Sequence, residues 1–280
     1  MEYTGLLGEF MFTKKKINDY ITQILCPGNV YVYLVEGKEK ALLIDSGCGA
    51  YDLKGFIATL TNKPYDLVLT HGHVDHAGGA GQFETVYLSS LDYDLLEVHT
   101  SIKVRQDYLS QNGQNVDASN MISPKEISSY RELKEEQIFD LGNVSVQAFS
   151  MKGHTNGSMA LLIQPCRTIL FGDACNSLTF LQFEDCISLE EYANNLKAFK
   201  EKVENQYDLI LYSHPHNYGG KEILDEMIDL CNQIISKEIE GVPFTPGTFI
   251  AKPINPTTFR RTDGKIANMA YLEKNIYKKD

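Results

Sequence analysis

The sequence predicts an α/β protein in which strands and helices alternate through both halves of the chain. Three observations carry that expectation: short apolar, β-branched runs recur along the chain, stretches of helical periodicity lie between them, and glycine-rich turns close the runs where histidines and aspartates collect. With 280 residues, 43% of them apolar, the chain can fill a sizeable core, so it reads as a single domain over residues 1–280 with its core at about 25–240.

In chain order, VYVYLV (30–35) and ALLID (41–45) are split by Glu-Gly-Lys-Glu, the pattern of a hairpin ending in the turn SGCG. A helical pattern follows over 51–60, then the apolar run DLVLT (66–70), then THGHVDHAGGAG, whose glycines prevent regular structure. The histidines therefore fall in a loop just beyond a strand. Residues 85–89 read as a strand, 91 to about 111 carry helical periodicity, and the polar stretch to 137 reads as partly helical, so a helical cap is expected as an insertion over about 91–140. Strands are expected again at 144–149, 159–164 and 168–171, a helix at 189–206, a strand at 208–212 and a helix from about 221 to 240. Pro243, Pro246, Pro253 and Pro256 interrupt the C-terminal extension over about 241–280, which reads as irregular with one strand near 267–272.

The formal charge of -11 argues against an electrostatic grip on nucleic acid, which needs a basic surface to displace counterions, and fits a small-molecule substrate better. No stretch approaches the roughly 18 consecutive apolar residues of a membrane helix, and the opening MEYTGLLGEFMFTKKK lacks the basic-then-apolar order of a secretory signal, so the protein reads as cytoplasmic with no membrane partner. Six scattered cysteines without a C-x-x-C pair read as reduced thiols. A P-loop, a dinucleotide G-x-G-x-x-G and a G-x-S-x-G elbow are all missing, which removes the commonest rival enzyme classes.

The densest chemistry is His71-Gly72-His73-Val74-Asp75-His76, three of the seven histidines within six residues. Imidazole nitrogen and carboxylate oxygen are the ligands that zinc and similar first-row metals accept, and Gly72, Gly78 and Gly79 let the loop bend so that several side chains converge. Two metals would need more ligands than this loop holds.

THGHVDHAGG resembles the signature of the metallo-β-lactamase superfamily, whose fold is a four-layer αβ/βα sandwich with metals at one edge. The rest of that family's pattern is found in order: Gly153-His154-Thr155-Asn156-Gly157-Ser158, then TILFGDA with Asp173, then LILYSH with His214. The resemblance spans about residues 30–220. It implies His71, His73 and His154 on one metal, Asp75, His76 and His214 on a second, and Asp173 bridging both, with Asp45 of LLIDSG supporting the ligands from behind. The cofactor implied is two divalent metal ions, zinc first, with iron or manganese as alternatives. Asp173 places the resemblance in the glyoxalase II and lactonase branch rather than among the antibiotic-hydrolysing enzymes.

What the resemblance implies is a dinuclear hydrolase in which a metal-bridging hydroxide cleaves an ester, thioester or lactone, Asp75 orienting that nucleophile and carrying a proton onward. Two alternatives stay open: a phosphodiesterase or ribonuclease type of hydrolase, and a mononuclear iron enzyme that oxidises a persulfide through His71, His154 and Asp173. His216 competes with His214 in SHPH, and His214, directly after the strand, is preferred. His99 reads as a cap residue and Cys175 as a small packed one. The tail carries seven basic against three acidic side chains, counting Lys279 and Asp280, and is expected to pack back on the acidic body through Phe249, Ile250, Phe259, Ile266, Met269, Tyr271 and Leu272. Arg260 and Arg261 would then contact an anionic substrate group, or else make surface ion pairs or a homodimer contact.

Overall fold

The computed structural model describes residues 11–183 and 186–278. Most of the opening stretch read against a secretory signal, and Lys279 and Asp280 of the tail, lie outside the described residues. The chain divides into two compact units, the first being the described chain up to Leu133 with Phe139–Ser145, the second Lys134–Ile138 with the described chain from Val146 onward.

The first unit is built on a seven-stranded sheet of order β1-β2-β3-β4-β5-β6-β7: β1 Thr13–Lys16, β2 Ile21–Cys26, β3 Val30–Glu36, β4 Ala41–Ile44, β5 Tyr65–Val68, β6 Val86–Leu88 and β7 Arg131–Glu132. The pairs from β1 to β4 are antiparallel and those from β4 to β7 parallel. Strand β4 is buried throughout, which is why it reads as a continuous apolar run rather than an alternating one. Edge strand β1, Thr-Lys-Lys-Lys, is exposed at every position, and its lysines discourage pairing with another chain. Helix α1 (Leu53–Ala58) starts where the Asp52 carboxylate accepts from Gly55 N–H (2.8 Å), and it buries Leu53 and Ile57 against Leu43 and Leu67 of the sheet. The unit also carries the four-residue helix α2 (Val74–Ala77), α3 (Tyr93–His99) and α4 (Ile102–Gln111). The cap is helical only through α4. Beyond it lie two single 3₁₀ turns and the short strands β7 and β8 (Ile138–Asp140), because polar residues around Gly113 and Pro124 offer no apolar stripe to bury.

The second unit holds a five-stranded sheet of order β13-β11-β10-β9-β8 and a four-stranded sheet of order β12-β16-β15-β14. Their strands are β9 (Ser145–Ser150), β10 (Met159–Gln164), β11 (Thr168–Gly172), β12 (Thr179–Leu181), β13 (Leu209–Tyr212), β14 (Val242–Thr245), β15 (Thr248–Ile250) and β16 (Met269–Leu272). Helix α5 (Leu189–Val203) opens on a capping box, in which Ser188 Oγ accepts from Glu191 N–H (3.2 Å) and donates to Glu191 Oε2 (2.8 Å). It buries Leu189, Tyr192, Ala193, Leu196, Phe199 and Val203 at helical spacing, and α6 (Ile223–Ile235) contributes Leu224, Met227, Cys231 and Ile234 to the same core. Three strands in the tail, against the single one expected, correct its reading as irregular. Pro243 is tolerated on the outer strand β14, and Pro246-Gly247 forms the turn into β15.

No helix among the described residues is long and apolar enough to cross a membrane.

Candidate metal centre

In each unit the chemistry hangs from the C-terminal ends of two neighbouring parallel strands. Strands β4 and β5 pair in parallel; Asp45 directly follows the first, and Leu69, Thr70 and His71 follow the second. Asp45 holds a left-handed backbone (φ +63°), uncommon for a residue with a side chain, and its carboxylate is buried. Thr70 N–H donates to its Oδ1 (2.7 Å), Thr70 Oγ1 donates to its Oδ2 (2.9 Å), and His76 Nδ1 lies 2.9 Å from the same Oδ2. An ionised carboxylate only accepts, so His76 carries its proton on Nδ1 and presents its Nε2 lone pair. His71 Nδ1 lies 3.1 Å from Thr70 Oγ1, whose own proton goes to Asp45, so His71 likewise presents Nε2. One aspartate thus sets the tautomers of two histidines.

His71 and His73 lie in the loop as expected, whereas Asp75 and His76 lie on the single helical turn α2, where the glycine-rich sequence argued against regular structure; all four are buried. The His71 ring centroid is 4.8 Å from that of His73 and 4.0 Å from that of His76, and Asp75 Oδ1 is 3.7 Å from His76 Nε2. Glycine makes this density feasible by leaving room rather than by bending the chain: a Cβ at Gly78 would lie 2.6 Å from the Cys48 carbonyl carbon, and one at Gly79 2.3 Å from Ser46 O. Two residues of the helices that follow, His99 of α3 and Tyr108 of α4, touch this histidine-rich segment. His99 stacks on His73 with centroids 4.8 Å apart, and Tyr108 Oη donates to Asp75 Oδ2 (2.7 Å). Tyr108 was legible only as one residue of a helical pattern.

In the second unit β11 and β13 pair in parallel. Asp173 directly follows β11 after Gly172, whose φ of +58° turns the chain, and His214 follows β13 by two residues. Asp173 Oδ2 lies 3.1 Å from His214 Nε2 and 4.0 Å from His154 Nε2, so one carboxylate serves two imidazoles. His154 Nδ1 donates to Phe180 O of β12 (2.7 Å); a carbonyl cannot donate, so Nε2 is the nitrogen that presents a lone pair. His216 stacks on His214 (centroids 5.4 Å apart), and burial, with His214 beside it, lowers its proton affinity. Cys175 is buried, which pushes its thiol up to about 12 and fits a small packed residue.

The two tail arginines part company. Arg261 is buried, its guanidinium bound to both carboxylate oxygens of Asp263 and to Ala267 O, so it staples the tail to itself. Arg260 is exposed and lies over the Tyr218 ring, 4.5 Å from its centroid.

The donor set of buried and half-buried imidazole nitrogens and carboxylate oxygens, with the tautomers of His71, His76 and His154 fixed by acceptors behind them, fits a divalent metal, and groups of these residues could hold one. Replacing Asp45 by alanine is expected to weaken metal retention by about 10- to 100-fold, the usual cost of losing an orienting partner. Competition with a chelator measures it, and retention equal to the parent would show that Asp45 does not set the ligands.

A family model described as the metallo-beta-lactamase superfamily matches residues 27–214. Among curated proteins, the chain is 20% identical over 265 residues to the acyl-coenzyme A thioesterase MBLAC2 of Homo sapiens, covering 84% of this chain and 88% of that protein. It is 21% identical over 220 residues to the same-named protein of Gallus gallus, covering 69% and 74%. Among solved structures, a metallo-beta-lactamase from Pontibacter korlensis superposes with TM-score 0.54 at 17% identity, over 78% of this chain and 97% of that one. An archaeal metallo-beta-lactamase superfamily protein from Sulfolobus tokodaii gives 0.52 at 18%, over 78% and 84%. At these identities the structural likeness speaks to fold.

Proposed function

The chain belongs to the metallo-β-lactamase superfamily, and from that premise we propose that it is a thioester hydrolase whose ligands His71, His73, Asp75, His76, His154, Asp173 and His214 hold two divalent metal ions, zinc first among them. The hydrolase class itself comes with the family and its thioesterase relatives. The observation that carries the thioester reading is the reach of that relationship, which spans 84% of this chain and 88% of the human relative, an acyl-coenzyme A thioesterase by name.

The ions, when bound, would supply a water of near-neutral pKa and polarise the scissile carbonyl. The protein's part is to hold the ligands, orient the substrate and manage one proton. Asp75 is the acceptor for that proton, being a buried carboxylate within the ligand loop. A thioester suits a site with a single such group, because a thiol of pKa about 8.5 leaves as thiolate far more readily than an alkoxide and needs little help from an acid. For the body of the substrate the first unit offers a cavity of about 340 Å³ whose walls include Leu25, Pro27, Val116, Asn29, Gln114 and Asn115. Apolar walls with uncharged amides match an uncharged chain carrying amide groups. Arg260 is the tail arginine offered to an anionic end of the substrate.

A panel of acyl-coenzyme A thioesters, oxygen esters, lactones and phosphodiesters, run on metal-quantified protein, tests the proposal. Thioester hydrolysis that a chelator abolishes and zinc restores is the expected result. Phosphodiester cleavage without thioester cleavage, or one iron per chain with oxygen uptake on a persulfide, would overturn it.

A further inference from the structure

We infer that Tyr108 is a positioning residue for Asp75, through which helix α4 of the insertion sets the geometry of the ligand loop. The inference rests on the reading of Asp75 as a metal ligand and assigns a role to a residue outside the ligand set.

A carboxylate that is to bind through one oxygen must be kept from turning about its Cβ–Cγ bond. Asp75 Oδ1 is the oxygen near His76 Nε2, at 3.7 Å, while Tyr108 Oη donates to Oδ2 at 2.7 Å. The phenol therefore holds one oxygen and leaves the other on the side of His76. This is a short hydrogen bond to a buried carboxylate oxygen, and bonds to such acceptors are strong and directional.

The helix that carries Tyr108 is itself locked to the loop. Arg105 and Tyr108 are three residues apart and so share a face of α4. The Arg105 side chain is fully buried, with one terminal nitrogen donating to Gly78 O (2.9 Å) and the other to Ile122 O (2.6 Å). Gly78 caps α2, the short helix containing Asp75 and His76. One face of α4 thus grips α2 twice, by its terminal backbone carbonyl and by the Asp75 side chain. Leu109, packed with Cys48, Ala50, Val116 and Met121, seats α4 from the neighbouring position. Gly28 (φ +92°), in the turn between β2 and β3, leaves space for the phenol ring: a Cβ there would lie 3.2 Å from Tyr108 Cε1 and 2.6 Å from Cys48 Sγ. The ring is therefore confined on its far side as well. A surface tyrosine that merely satisfied its hydroxyl would need none of this bracing.

The test is Tyr108→Phe in the full chain, which removes the hydroxyl and keeps the ring. Zinc retention in chelator competition is expected to weaken by about 10- to 100-fold, with a changed visible spectrum after cobalt substitution and a kcat reduced by a similar factor. KM should stay within about twofold, since the residue acts on Asp75 and not on the substrate. Retention, spectrum and kcat equal to those of the parent would overturn the inference and leave the metal-centre reading intact. So would a raised KM with kcat unchanged, which would make Tyr108 a substrate contact. A parent protein that retains no divalent metal would overturn both together.

Discussion

Asp173→Ala is expected to empty both metal positions and to lower hydrolysis by at least about 1,000-fold. Its Oδ2 lies 3.1 Å from the Nε2 atom of His214 and 4.0 Å from that of His154, so both histidines share one carboxylate. Without it two imidazoles face each other with no negative charge between them, and a divalent cation loses the ligand that neutralises it. Metal ions supply several kcal/mol of transition-state stabilisation, and each 1.36 kcal/mol is a factor of ten in rate, which sets the scale. Elemental analysis beside the thioester assay measures both effects. Asp173→Ala protein that kept its full metal content, or most of its rate, would sink the bridging assignment.

Deleting residues 257–280 should cost more stability than any single substitution named above. Strand β16 goes with them, and with it the buried side chains of Met269, Ala270 and Tyr271. Burying each large apolar side chain contributes about 1.5–3 kcal/mol, against a total stability of about 5–15 kcal/mol for a typical domain. The clamp of Arg261 on Asp263 and Ala267 O is lost as well. A fall of roughly 10 °C or more in the unfolding midpoint is expected, and a tail that resists proteolysis in the intact protein. An unchanged midpoint with rapid cleavage of the tail would show that it hangs free.

Much of this was legible in the sequence, for identifiable reasons. The mixed α/β fold of the metallo-β-lactamase family was visible because β3, β4, β10 and β11 are apolar runs bounded by turn residues, and α5 and α6 carry apolar side chains at helical spacing. The candidate ligands stood out because each sits in a short motif behind a strand. What escaped was whatever depends on a distant partner. Strand β1 is three lysines and a threonine, and pairs only because β2 lies beside it. Strands β12, β14 and β15 are three or four residues long and exist through their neighbours in the sheet, with Pro243 and Pro246 arguing locally against two of them. Nothing local in the sequence marks Arg105 as buried, yet it is fully buried, because four backbone carbonyls converge on its guanidinium from separate stretches of chain. Tyr108 escaped for the same reason, since nothing local distinguishes a phenol that meets a carboxylate from one that meets water.

The parallel pairing of β12 with β16 bears on how the protein is made. Among the described residues β12 has β16 as its one sheet neighbour: Thr179 N–H donates to Asn268 O (2.9 Å), and Phe180 stands opposite Ala270. Phe180 O is the acceptor for His154 Nδ1. Synthesis runs from the N-terminus, so the ribosome has delivered His154, Asp173 and His214 well before the strand that braces the carbonyl behind His154. The first unit's sheet is complete by Glu132 and can form while the rest is still being translated, whereas the carbonyl behind His154 waits for a strand that begins at Met269. A nascent chain stalled short of Met269 would carry every candidate ligand and still lack the strand that braces Phe180 O behind His154.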